Sequence, residues 1–291
     1  MKNSNRILKT KVLMYHRVLV EKPKKGSQWH YVTVSDFRKQ MNLIDRMGYT
    51  PITFSDYRLY MKGKLTLPSK PIIITFDDGY LDTFENAIPV LQELNMRAVI
   101  FVMGNRKLKC AQWDIMDESD DCPLMTDDQV RKANEMGFEI GAHSHGHLDL
   151  PGLLKKDLVY EVSQSKKSIE KVLKEPIHTF AYPYGRVNEK VKKVVSDSGF
   201  LFACGVYSGS AKFSHSMMDF RRLAINQSTS LLKFMLILLL PYQYIEWAYY
   251  LLKNKMKGNF KAKNSFETKV KSNNGTIRSI KFQNLHKFNS K

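Results

Sequence analysis

Two aspartates and three histidines are the residues here whose types and spacing could do chemistry. Asp77 and Asp78 end the run PIIITFDDGY, and His143, His145 and His147 alternate within HSHGH. Adjacent carboxylates raise each other's pKa, and burial raises both, so the pair needs relief from a cation or from solvent. A metal ion with a proton-transfer role provides it; so does exposure in a turn, where Asp and Gly are ordinary. His143 and His147 are four apart, and on one helical turn they would share a face suited to a single divalent ion, with His145 pointing elsewhere. A surface loop that is merely rich in histidine is the plainer alternative. Adding one aspartate gives two imidazoles and a carboxylate with positions open for water and substrate, a set that binds zinc, iron or related metals. The second aspartate is then free as a base. A glycosidase built on Asp77 and Asp78 fits poorly. Neighbours on a strand face opposite ways, whereas that reaction wants carboxylates about 5–9 Å apart across one bond.

These groups need a frame, and the chain supplies alternating elements. KVLMYHRV reads as a first strand with polar residues at its end. Phe37, Met41, Ile44 and Met47 mark a helix from Ser35, as N-cap, to the stop at Gly48. Three consecutive isoleucines before the aspartates read as a short buried strand. A helix over 82–94 follows, with Pro89 tolerable only near a kink. RAVIFVMG is the next strand, and the polar connection 105–124 is long enough to face a substrate. Thr126 and Gln129 form a capping box for a helix that Gly137 closes. Residues 138–142 lead as a strand into HSHGH, 155–174 is a long amphipathic helix, and TFAYPYG is a strand ending in a turn. A helix at 187–196 and strands at 201–206 and 220–225 complete the series. Alternation of this kind predicts a parallel α/β fold, a single distorted (β/α) barrel of about seven parallel strands. The polar clusters sit just past strand ends, where such a barrel holds its active site.

TFDDG, then H-S-x-x-H, then a strand-end PYG, in that order, resembles the polysaccharide deacetylases of the NodB-homology group, carbohydrate esterase family four. The resemblance covers 12–225, and LMYHRV at 13–18 is similar to the poly-N-acetylglucosamine deacetylase branch. It implies Asp77 as general base and Asp78, His143 and His147 as ligands of one divalent ion, zinc foremost. It also implies the Tyr184 amide as oxyanion donor, with Pro183 and Gly185 shaping its turn against the substrate, and His16 as the acid for the leaving amine. Ser144 would position the loop. One departure stands out. Many members carry an arginine two residues before the motif proline, paired with the catalytic aspartate, and here that position is Ala181. Arg222 in FRRLAI is the expected substitute, with Arg221 next. The implied activity is removal of N-acetyl groups from an amino sugar in a surface polysaccharide or lipid-linked glycan. An O-deacetylase, or a metal-containing glycan- or membrane-binding module without catalysis, are the rival readings. Trp113 and Trp29 could stack on sugar rings or simply pack.

Length and composition fit this frame: 291 residues suit one large domain, and 43% hydrophobic residues support a core. Three cysteines with no CxxC pair do not describe a disulfide framework, although a Cys110–Cys122 bridge is possible. With no apolar leader at the start, a cytoplasmic, membrane-peripheral location is expected. The formal charge of +18 is uneven, for 253–291 holds eleven Lys/Arg against Glu267 alone. Ahead of it lies LLKFMLILLL, then Pro241 and YQYIEWAYYLL. The expected division is a catalytic domain 1–228, an apolar aromatic segment 229–252 and a polybasic, partly irregular tail 253–291. Apolar segment plus basic tail suits an anionic membrane surface; helices packed on the barrel are the alternative, and nucleic acid is a weaker partner for want of a motif. Deleting 231–291 is then expected to weaken liposome binding and spare activity.

Overall fold

In the computed structural model of the protein, which describes residues 10–23, 30–114, 122–210, 212–213, 215–242, 244–245, 248–249, 252, 269–271 and 277–279, the isoleucine run is an interior strand of the main sheet. The parallel sheet contains β1 (Lys11–Tyr15), β4 (Thr50–Pro51), β5 (Pro71–Phe76), β6 (Val99–Val102), β7 (Glu139–Ala142), β8 (Thr179–Ala181), β9 (Phe202–Cys204) and β10 (Leu223–Ala224). Seven of them run in the order β10-β1-β5-β6-β7-β8-β9, with the two-residue β4 along the start of β5. The sheet curls into the expected distorted (β/α) barrel. Phe220 forms a parallel bridge with Cys204 while Leu223 pairs with Leu13, so the segment 220–224 touches both ends of the sheet. A separate parallel pair, β2 (Arg17–Leu19) and β3 (Tyr31–Thr33), lies off the sheet.

Strands buried on both faces need no polar alternation, which is why Thr75 is the one polar residue of β5. Ile72, Ile74 and Phe76 belong to the layer beneath the helices, whereas Ile73 joins Val12, Val99 and Phe101 in a second cluster. Continuing the alternation from Ile73 through Thr75 carries Asp77 to the same side.

The helices are α1 (Val34–Arg46), α2 (Phe54–Met61), α3 (Ile88–Glu93), α4 (Asp127–Glu135), α5 (Lys155–Leu173), α6 (Glu189–Asp197) and α7 (Leu231–Leu239). Thr126 and Gln129 make the expected reciprocal capping box. The first helix is capped by Thr33, not Ser35, because Thr33 accepts from the Asp36 N–H. The helix expected over 82–94 is interrupted: 83–87 is a π-turn, and a new helix starts at Ile88 with Pro89 in its first turn, where the missing N–H costs nothing. Helix α2, opened by a Thr53–Asp56 capping box, was not expected at all.

Helix α7 is part of the barrel's own core. Phe234, Ile237 and Leu238 are buried in the main cluster, and the Leu238 carbonyl accepts from Tyr49 Oη at 2.6 Å. The compact unit accordingly runs to Trp247. Among the described residues no helix is long and apolar enough to cross a membrane. Residues 248–291 form a second unit, where β11 (Lys269–Lys271) and β12 (Ile277–Ser279) pair antiparallel. Most of the expected tail, and Trp29, lie outside the described residues. Cys110, Cys122 and Cys204 form no disulfide, so the possible bridge is not made.

Candidate active site

Strand β5 ends at Phe76, and the chain then turns through two left-handed residues, Asp78 (φ 70°) and Gly79 (φ 68°). A Cβ on Gly79 would sit 2.7 Å from Val102 Cγ1, so the turn requires glycine. Positive φ is strained for an aspartate, a cost proteins concentrate at functional sites. The turn changes one sequence-based expectation. Once Asp78 leaves the strand geometry, both carboxylates line the same cavity rather than opposite faces. That cavity, of about 310 Å³, also receives His16, Trp113, His143 and Tyr184.

HSHGH is not a helical turn. It is an irregular loop with Ser144 (φ 61°) and His147 (φ 58°) left-handed. Ser144 Oγ accepts from the His147 N–H at 2.9 Å. Buried Glu161, on α5, accepts from the N–H groups of His145 and Gly146 at 3.1 and 2.8 Å. The loop thus brings His143 and His147 together by tertiary contacts. Their Nε2 atoms lie 3.4 and 3.3 Å from Asp78 Oδ1. His145 instead meets Tyr160 edge-on.

Asp78, His143 and His147 are the group of donors, among the described residues, that could hold a metal ion, with one ligand atom each within 4.8 Å of the others. The chemistry of the set fits. His143 Nδ1 meets the Ala181 carbonyl at 2.8 Å; a carbonyl only accepts, so Nδ1 carries the proton and Nε2 offers its lone pair. Burial pushes His143 down to about 4, which keeps the imidazole neutral and able to ligate. Asp78 Oδ1 is buried without a hydrogen-bond partner, an acceptor in want of a cation. Burial alone would raise Asp78, but its contact with the His147 imidazole outweighs that and holds it well below the usual carboxylate range. The His147 ring is fixed by stacking on Trp113, centroids 4.0 Å apart and 20° between planes, and by the edge of Tyr184.

Asp77 receives different treatment. Arg222, fully buried, donates through both terminal nitrogens to the two carboxylate oxygens at 2.6 and 2.7 Å. A third bond, Arg222 Nε to the Gly205 carbonyl at 2.9 Å, fixes the fork. Burial would raise Asp77, yet the Arg222 charge and hydrogen bonds, with His143 and His16, leave it below its ordinary value. Arg221 points away, to the Tyr207 carbonyl at 2.6 Å. The structure therefore sets Arg222 against Asp77 from the segment that touches both ends of the sheet.

The PYG turn follows β8. Tyr184 (φ 59°) and Gly185 (φ 62°) are left-handed, and the turn's own hydrogen bonds run from Gly185 N–H to the Tyr182 carbonyl and from Arg186 N–H to Pro183. Neither consumes the Tyr184 N–H. Gly185 and Tyr184 line the cavity, while Pro183 supports the turn from a buried position.

Several lining residues carry no sequence signal. His30 stacks obliquely on His16, centroids 4.8 Å apart, and the burial of its ring and its neighbour His16 lower its pKa. Asp114 reaches the cavity and accepts from Tyr80 Oη. Glu161 is one of many polar residues on an amphipathic helix, and only its burial marks it.

Comparison with known proteins agrees with this geometry. Residues 64–203 match the family model described as polysaccharide deacetylase. A Bacillus subtilis (strain 168) protein described as a polysaccharide deacetylase, YxkH, is 26% identical over 222 residues, 76% of this chain and 73% of that protein. The poly-beta-1,6-N-acetyl-D-glucosamine N-deacetylase of Staphylococcus aureus (strain MSSA476) is 23% identical over 184 residues, 59% of each chain. Among solved structures, a polysaccharide deacetylase from Bacillus cereus superposes with a TM-score of 0.64 at 24% identity, covering 79% of this chain and 68% of that one. IcaB from Ammonifex degensii gives 0.62 at 20% identity, covering 82% and 96%; at these identities the likeness speaks for the fold. Over residues 64–203 the chain carries a polysaccharide deacetylase domain.

Proposed function

We propose that this protein is a metal-dependent N-deacetylase that hydrolyses the acetamide of an amino sugar within an N-acetylated polysaccharide. The reading rests on one arrangement, a carboxylate clamped by Arg222 beside three convergent metal donors that line the same cavity. Asp78, His143 and His147 would hold the ion. When bound, a divalent ion there supplies Lewis-acid polarisation of the acetyl carbonyl and acidifies water.

The chain's residues supply the rest. Asp77 stays ionised at neutral pH and takes the proton of the attacking water. Arg222 keeps that carboxylate oriented and offsets its charge, and two donors on two oxygens leave little freedom to rotate. The Tyr184 N–H, held out by its left-handed turn, donates to the oxygen on which negative charge develops. His16, at the end of β1 and across the cavity, gives a proton to the departing nitrogen. An amine leaves poorly as an anion, so an amide substrate needs such an acid. Trp113 walls the cavity beside His147 and offers an aromatic surface to a sugar ring. The name of the S. aureus relative supports a polymer of N-acetylated glucosamine as the substrate class.

The test is acetate release from N-acetylated glucosamine oligomers by the purified chain, with and without chelator, and with Asp77→Asn. Release should need the metal and fall by about 10²–10⁴ in the variant. A protein that binds metal yet frees no acetate from any N-acetylated oligomer would be a binding module instead. Release from O-acetyl esters alone would make it an O-deacetylase.

A further inference from the structure

We propose that the outward face of α7, Leu231–Leu239, docks the protein on an anionic membrane surface. A helix lying on a soluble protein ordinarily turns a polar face to water. This one, LLKFMLILL, has Lys233 as its sole charge. Its inward residues Phe234, Ile237 and Leu238 are buried in the core. Opposite them, Leu232, Leu236 and Leu239 follow one another at helical spacing and are 63%, 38% and 60% exposed. Leu240 and Ile245 continue the apolar surface past the helix. An uninterrupted exposed row of this kind marks an interaction site.

Charge selects the occupant. The chain carries +18, and ten of those charges come from 253–291, where eleven Lys/Arg outnumber Glu267. A second copy of so basic a chain is repelled, whereas an anionic leaflet attracts it. No described helix can span a bilayer, so the leucine row lies in the interface rather than across it. Position matters as well. Asn226, at the end of β10, lines the cavity, and only the turn 227–230 separates it from the helix. Docking by the leucine row therefore holds the cavity close to the membrane surface. The inference goes beyond the deacetylase reading and does not depend on it.

The test uses the full chain and vesicles of phosphatidylcholine, alone or with phosphatidylglycerol added. Co-sedimentation is expected with the anionic vesicles, weakening as salt is raised. The double variant Leu232→Glu, Leu239→Glu should bind at least about tenfold less, with unchanged circular dichroism and unchanged activity on a soluble oligomer; Leu232→Met, Leu239→Met should retain binding. Absence of vesicle binding, or equal binding by the glutamate variant, overturns the proposal. So does a light-scattering dimer that the glutamate variant dissolves while vesicles are ignored, which would assign the face to a second copy.

Discussion

Asp77 and Arg222 meet with both side chains buried, so each is the other's main charge compensation for leaving water. Removing one partner of a buried pair typically costs about 3–5 kcal/mol, because the remaining charge is stranded. Arg222→Met should therefore lower stability by about that amount in urea unfolding. Asp77→Asn added to Arg222→Met should restore much of it, since no charge is then stranded, while neither variant releases acetate. A simple structural role for Arg222 would leave the double variant as unstable as the single one. His143 makes a second residue-scale prediction. Its folded-state value of about 4 lies below the ordinary imidazole value of about 6.5, so the unfolded chain binds the extra proton first. The stability this contributes is complete above about pH 6.5 and is lost as pH falls toward 4, a span worth about 3 kcal/mol. Burial raises Glu139, which acts in the opposite sense, so the wild-type slope mixes both. Subtracting the urea midpoints of His143→Gln from those of the chelated wild type across this range isolates the histidine. Equal slopes would contradict the assignment.

At the scale of elements, the PYG turn presents a donor that a single methyl group should displace. A Cβ on Gly185 would lie 2.5 Å from Val206 Cγ2 and 2.8 Å from Val206 Cβ, with φ already at +62°. Gly185→Ala must shift the turn and with it the Tyr184 N–H. Loss of one oxyanion donor costs about 10²–10³ in kcat. The variant should show that loss in acetate release while calorimetry finds metal affinity reduced far less, because the three metal donors stand on other loops and Trp113 still stacks on the His147 ring when the Tyr184 edge moves. The same comparison of loops explains what the sequence could disclose. The capping box at Thr126 and the apolar strand at 71–76 follow local rules, and both were legible from a few neighbouring letters. The spacing of His143 and His147 was legible too, but its cause was not. A four-residue interval reads as a helical turn, whereas here Glu161 grips the loop from a distant helix and two residues adopt left-handed backbone. Nor could local pattern pair Arg222 with Asp77, 145 residues apart; only the gap at Ala181 in a resembling motif pointed to a distant arginine. His30 and Asp114 reach the cavity with no pattern around them at all.

On the scale of the molecule, the position of α7 decides where the chain can be cut. Composition alone sets 229–252 apart as an appendage, and on that view its removal leaves an active barrel. The fold makes the opposite prediction. Phe234, Ile237 and Leu238 are buried in the same cluster as Leu13, Phe76 and Leu223 of the strands. Truncating such side chains costs about 2–5 kcal/mol each. Losing three of them together approaches the whole stability of a typical domain, about 5–15 kcal/mol. The Tyr49 hydroxyl would also lose the Leu238 carbonyl that accepts its hydrogen bond. A chain ending at Ser230 should therefore be unfolded, or melt far below the parent, and should release no acetate. A chain ending at Leu252 keeps every one of these contacts and gives up the basic stretch alone. It should melt within a few degrees of the parent and retain activity on a soluble oligomer, while its binding to anionic vesicles becomes weaker and less sensitive to salt. Thermal unfolding of the two truncations side by side separates the alternatives: equal melting of both would mean that α7 contributes nothing to the core of the barrel.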